Sequence, residues 1–157
     1  IDGDEDFLSD SLWAAFGDYA RHHGGCLIVG RKTVEAVATW GAAMGFHDFP
    51  DLCKVVVTSD DTWTVPEGFL RARSPADALA LLEREGMTSV LLAGGPILNR
   101  AFAEAKLIDH VLFRIEPVII GEGLPVVASG PHDLRLELDG APHVTMGMVT
   151  LRYRVIR

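Results

Sequence analysis

Short, largely apolar runs punctuate the first two thirds of the chain, at 26–29, 54–57 and 90–93. Unbroken runs of this length suit parallel strands that are buried on both faces. Between them the apolar period lengthens to three and four residues. Leu12, Trp13, Phe16, Tyr19 and Ala20 predict a helix capped by Ser9 or Asp10 and ended by Gly24-Gly25. A second helix opens at 31–36. A third starts at Ser74-Pro75-Ala76-Asp77, buries Leu79 and Leu82 and stops at Gly86, and a short strand at 69–73 precedes it. The stretch 89–121 reads as strand, glycine turn, helix, strand and loop, the order of a βαβ unit. Its helix, 96–105, buries Leu98, Ala101, Phe102 and Ala105. Beyond Gly121-Glu122-Gly123 come apolar stretches at 125–128, 134–138 and 144–156. The last alternates at Val149, Leu151, Tyr153 and Val155, as a long antiparallel edge or hairpin strand does. Strand and helix alternating first, with strands alone at the end, predict an α/β fold: a mostly parallel sheet with antiparallel C-terminal strands.

Length and composition narrow this picture. A chain of 157 residues that is 48% hydrophobic is expected to form a single domain spanning 1–157 with a sizeable core. Fourteen Lys and Arg stand against 22 Asp and Glu with no basic run, which argues against nucleic acid as a partner. Cys26 and Cys53 sit in apolar runs without metal-ligand spacing, and both read as reduced core residues of a cytoplasmic protein. No run is long enough to span a membrane, and nothing at the start resembles a signal peptide. The opening, Ile1-Asp2-Gly3-Asp4-Glu5-Asp6-Phe7-Leu8, is too acidic for a core strand, so an apolar stretch is expected before Ile1.

Two glycine turns carry the candidate chemistry. Gly30-Arg31-Lys32-Thr33 places two cations and a hydroxyl at a helix start, where partially positive amides already disfavour cations. A bound anion resolves the conflict: Arg31 grips a phosphate bidentately, Lys32 adds a charge, and Thr33 Oγ and the amides complete the cradle. The other reading is two solvated cations with Thr33 as a cap. Gly94-Gly95-Pro96 is the second turn, either a tight strand-to-helix connection or a close approach for an anionic ligand. The spacing Gly25-x4-Gly30-Arg31-Lys32-Thr33 misses a P-loop by one residue, and its intervening residues are strand-like. Thr58 and Ser59 end a strand, where they either reach a ribose or its phosphate or simply form a turn. The loop 40–52, rich in Gly and aromatic residues, suggests a lid over substrate, with His47 beside Asp48 as a candidate acid. His22-His23 falls in a last helical turn, which suits capping better than a metal site.

These motifs, together with Leu92-Ala93-Gly94-Gly95-Pro96-Ile97-Leu98, Leu107-Ile108-Asp109, Pro117-Val118-Ile119-Ile120-Gly121-Glu122-Gly123 and Leu151-Arg152-Tyr153, stand in the order and spacing of one superfamily. Over nearly its whole length the sequence resembles the dihydrofolate-reductase-like fold. The branch it resembles most contains the C-terminal reductase domain of the bacterial riboflavin-biosynthesis deaminase-reductase. The resemblance implies a three-layer sandwich, NADPH as cofactor, and hydride transfer to a small heterocyclic or carbonyl/imine substrate. It implies that Gly30, Arg31, Lys32 and Thr33 hold the phosphates of the adenosine half, with Arg31 and Lys32 selecting NADPH over NADH. It further implies that Thr58 and Ser59 line the adenosine site and that Ala93, Gly94, Gly95, Pro96, Ile97 and Leu98 wrap the pyrophosphate, with the Gly94-Gly95 peptide cis. Relatives commonly pair, so the resemblance and the apolar C-terminal strands point to a homodimer. The riboflavin-pathway reductases carry a glutamate where Ala93 stands, and their first strand has no counterpart unless Ile1-Asp2-Gly3 is its remnant. Asp10 is the nearest candidate acid by analogy with dihydrofolate reductases, and no catalytic residue is assigned. No deaminase zinc motif occurs, so no deamination is expected. A non-catalytic NADP-binding or dimerisation module is the other reading.

Overall fold

The computed structural model describes residues 10–41, 44–145 and 147–157. The acidic opening and the Ile1-Asp2-Gly3 stretch lie outside them, as does the side chain of Asp10. The chain runs α1 (Asp10–His22), β1 (Cys26–Gly30), α2 (Arg31–Ala38), β2 (Cys53–Val57), β3 (Leu70–Ala72), α3 (Pro75–Arg84), β4 (Leu91–Leu92), α4 (Pro96–Glu104), β5 (His110–Ile115), β6 (Arg135–Leu138), β7 (His143–Thr145) and β8 (Met148–Ile156). The apolar runs at 26–29 and 54–57 are the central strands, and their alternate residues face opposite layers.

Strands β3-β2-β1-β4 form a four-stranded parallel sheet. On one face Leu27, Val29 and Val56 pack with Trp13 and Ala20 of α1 and Val34 and Val37 of α2. On the other, Cys26, Ile28 and Val55 pack with Ala78 and Leu82 of α3 and Leu98 and Phe102 of α4. This makes the three layers. Ser74 caps α3 as the sequence predicts, its hydroxyl accepting from the Asp77 amide at 3.1 Å.

The remaining strands form a second, antiparallel sheet in the order β5-β8-β6, with β7 also on β8. Three expectations change here. The stretch 89–121 is not a βαβ unit with two parallel neighbours, because β4 and β5 belong to different sheets and their facing edges border a cavity of about 800 Å³. The alternating strand β8 makes the expected antiparallel hairpin, with β7, but it is no edge: β5 occupies one of its sides and β6 and β7 the other. Residues 125–128 form no strand. Alternation shows which face is buried but says nothing about how many neighbours a strand has.

Among its described residues, the loop 40–52 is anchored in the core, which does not suit a lid. Phe46, Phe49 and Leu52 are buried around Trp13, whose ring lies 5.0 Å from that of Phe49. Aromatic side chains that bury this much area hold the segment down. The buried Lys54 ammonium fixes its end by donating to the carbonyls of Phe49 at 2.6 Å and Leu52 at 3.2 Å, and burial pushes its pKa down.

Candidate functional site

Because β1, β2 and β4 are parallel neighbours, their carboxyl ends line up, and the predicted site residues lie on the turns that leave them. Ligands of open α/β sheets bind at this edge. Gly30 ends β1 and its amide donates to the Gly94 carbonyl at 2.8 Å, which ties the two glycine turns together. Helix α2 starts after Gly30 and α4 after Gly95; neither has a side-chain cap or an acidic residue in its first turn. Two helix starts with uncapped amides therefore stand side by side, a concentration of partial positive charge and N–H donors.

Glycine keeps the space between them open. A Cβ on Gly30 would stand 3.6 Å from Leu98 Cβ, and one on Gly95 3.0 Å from Thr33 Oγ1. Gly94 has φ +85°, which disfavours a side chain, and the Gly94-Gly95 peptide is cis as expected. Pro96 occupies the first turn of α4, Leu98 is buried, and Ile97 presents an exposed apolar side chain beside the turn. Asn99 was not singled out in the sequence. Its amide nitrogen donates to the Val126 carbonyl at 2.7 Å, while its Oδ1 is buried without a partner among the described residues, beside Gly94. The signal that would have found it is a polar residue one turn into a helix that starts on glycines.

The cations are held differently from the sequence picture. Arg31 pairs with Glu35 one turn along α2 at 2.7 Å, so part of its charge is met within the helix, and Lys32 is exposed. Thr58 is buried and its hydroxyl accepts from the Asp60 amide at 3.1 Å, while Ser59 is exposed. Bonds from the Thr62 hydroxyl and amide hold the Asp60 carboxyl below its usual range, with a smaller contribution from the Arg31 charge. The turn after β2 is thus self-bonded, and it sits next to the Gly30 turn through the pairing of Gly30 with Val57.

No acid stands at the head of the second turn. Ala93 donates its amide to the Ile28 carbonyl at 2.8 Å and packs against the α1-side core. Asp48 is no proton donor either: the Gly45 amide and the Trp13 indole, at 2.9 and 2.8 Å, hold its carboxyl below the usual range and keep it ionised. Replacing Asp48 with alanine orphans the buried indole N–H, an expected loss of about 1–3 kcal/mol at pH 7 in urea unfolding. A depressed carboxylate pKa stabilises the fold above the unfolded value of about 4, and that contribution fades as pH falls through the lower folded value. The wild-type advantage over Asp48→Ala is therefore expected to narrow between pH 4 and more acidic conditions. At the end of α1, the His22 ring bonds the Asp18 carbonyl at 2.7 Å, in keeping with a terminal role.

Among the described residues no helix is long and apolar enough to cross a membrane. Of curated proteins, the uncharacterized YwjB of Bacillus subtilis (strain 168) is 25% identical over 114 residues, covering 73% of this chain and 64% of YwjB. The match thus spans less than two thirds of that relative. The pyrimidine reductase-like protein of Corynebacterium diphtheriae NCTC superposes with a TM-score of 0.71 at 16% identity, covering 100% of this chain and 86% of that one. Dihydrofolate reductase from Enterococcus faecalis, solved in complex with NADP(H), gives 0.60 at 17% identity over 90% of this chain and 81% of that one. These likenesses establish the dihydrofolate-reductase-like fold. The sequence profile of the RibD C-terminal domain matches residues 1–150, nearly the whole chain, and the protein belongs to the RibD C-terminal domain family.

Proposed function

We propose that this protein is an NADPH-dependent reductase acting on a small heterocyclic or carbonyl/imine substrate, pteridine- or pyrimidine-like. The observation that carries this reading is the pair of uncapped helix starts at adjacent strand ends, with glycines keeping the space between them clear. A dinucleotide pyrophosphate needs amide donors, close backbone approach and no competing carboxylate, and these turns offer all three. The unpartnered Asn99 Oδ1 beside Gly94 adds a polar group that a ligand donor would satisfy. The residues present fit the cofactor.

Gly94, Gly95, Pro96, Ile97 and Leu98 would hold its pyrophosphate, and Gly30 to Thr33 the phosphates of its adenosine half. Thr58 and Ser59, after β2, would border the adenosine. When bound, NADPH supplies the hydride, and the protein's part is placement and exclusion of water. Arg31 keeps donors beyond the one given to Glu35, and with exposed Lys32 it meets the 2′-phosphate that separates NADPH from NADH. A methyl at Ala93 has no proton to give and Asp48 is held ionised, so neither supplies the reaction proton.

Titration of NADPH, followed by its fluorescence, tests the proposal. Binding tighter than that of NADH is expected. The Arg31→Ala/Lys32→Ala variant is expected to lose roughly 10- to 100-fold in NADPH affinity, the scale of charge-assisted hydrogen bonds. No binding of either nucleotide would sink the reading. The departure at Ala93 favours one other reading, a nucleotide-binding module without turnover. NADPH binding with no substrate-dependent oxidation across pteridines and aminopyrimidines would select it.

A further inference from the structure

Two carboxylates follow the Thr58-Ser59 turn, and they are engaged differently. Asp61 is met by guanidinium groups, that of Arg73 at 2.8 Å and that of Arg71 at 3.5 Å. Among the described residues Asp60 makes no such pair. Its Oδ1 instead accepts from the Thr62 hydroxyl at 2.7 Å and the Thr62 amide at 3.0 Å, an Asx turn, and its own amide donates to Thr58 Oγ1 at 3.1 Å. Arg71 holds the same residue through its backbone, donating to the Asp60 carbonyl at 3.0 Å. The carboxylate is therefore fixed and half-buried, and bonds that favour its charged form keep it ionised.

The turn does not need this charge. The Oδ1 of an asparagine accepts the same two bonds, so an Asx turn accounts for the shape of the side chain and leaves its charge unexplained. That charge has neighbours across the sheet edge. Gly30 and Val57 are register partners, so the residues leaving β1 and β2 run side by side, and the Arg31 charge helps to hold the Asp60 carboxyl below its usual range. Around this corner two cations, Arg31 and Lys32, stand against two carboxylates, Glu35 and Asp60. Glu35 is bonded to Arg31 at 2.7 Å, which leaves Asp60 as the carboxylate held by hydroxyl and amide alone.

We propose that Asp60 sets the cofactor preference of the site, its carboxylate opposing a 2′-phosphate and favouring a plain ribose hydroxyl. This rests on the two glycine turns being a nucleotide cradle. A phosphate monoester carries about −1.5 to −2 at pH 7, and a fixed carboxylate beside it is repulsive. The 2′-hydroxyl of NADH is neutral and donates, and a carboxylate accepts from it. Arg31 and Lys32 pull the choice toward NADPH, and Asp60 keeps the margin small. Removing the cations and removing the carboxylate therefore act in opposite directions on the ratio of the two affinities.

Titration of NADPH and NADH into the wild type and Asp60→Asn, read by cofactor fluorescence, tests this role. Asparagine keeps the turn, so the circular dichroism spectrum and melting curve are expected to stay near those of the wild type. NADPH is expected to bind the variant about 5- to 10-fold tighter at low salt, the scale of one partly screened charge acting on a near-dianion, and NADH no tighter than before. The gain should shrink in about 0.5 M salt, because screening weakens an effect of charge and leaves one of shape alone. Should Asp60→Asn fail to fold, Asp60→Ser offers a hydroxyl acceptor to the Thr62 amide and carries the same expectation. NADPH affinity that the substitution leaves unchanged, or equal tightening of both nucleotides, overturns the role of Asp60 while the cradle stands. A wild type that binds neither nucleotide overturns the cradle and this role with it.

Discussion

Gly24→Ala is expected to destabilise the chain by about 3 kcal/mol or more, a large share of a domain's whole stability. Two penalties coincide at this residue. Its φ is +106°, outside the regions L side chains adopt comfortably, and a Cβ there would stand 2.0 Å from the Ser89 carbonyl oxygen. That oxygen is backbone, so relief requires the approach to β4 to move away from the end of α1. Gly25 provides the internal control. It also has a positive φ, +68°, but a Cβ on it meets nothing within 4 Å. Gly25→Ala should therefore lose only the left-handed conformational penalty, about 1–2 kcal/mol. Urea midpoints of the two variants measure the difference directly. Equal midpoints would mean that the segment before β4 shifts freely and that the close contact holds nothing in place.

The pair Gly24-Gly25 was legible as a helix stop, because a helix C-terminus is a local event: the Gly25 amide reaches the Ala20 carbonyl at 3.0 Å. The same locality made the parallel strands, the Ser74 cap and both glycine turns of the site readable from residue types alone. What stayed hidden depends on residues far apart in the chain. The aromatic residues of 46–52 look like a loop until Trp13, on α1, is placed against Phe49 and Asp48. An acid was sought at His47, beside Asp48, and pairing with an indole 35 residues away turns Asp48 into a clamp. Alternation along β8 predicted its apolar face, but only the three partner strands show that it is central. In the sequence the cationic helix start reads as a conflict, and Glu35 answers part of it through a bond at 2.7 Å.

At the site itself, Gly95→Ala is expected to weaken NADPH binding by roughly 10- to 100-fold, about 1.4–2.7 kcal/mol, while leaving the fold nearly unchanged. The backbone at Gly95 is extended, with φ −82° and ψ −163°, so alanine meets no conformational penalty of the kind Gly94 or Gly24 would impose. The added methyl instead projects toward Thr33 Oγ1 at 3.0 Å, into the space between the two helix starts. Thr33 can turn its hydroxyl away to relieve this contact, so stability should fall by less than about 1 kcal/mol. The methyl itself remains where a phosphate would have to approach the amides. Thr33→Ala in the Gly95→Ala background separates the two effects. If the crowded hydroxyl alone were responsible, removing it would restore affinity; if the methyl blocks the backbone, the double variant stays weak. Persistent weakness is the expected result, because amide donors at a helix start act only on a ligand that can reach them closely. Unchanged affinity in Gly95→Ala would place the cofactor elsewhere and remove the central support for the reductase reading.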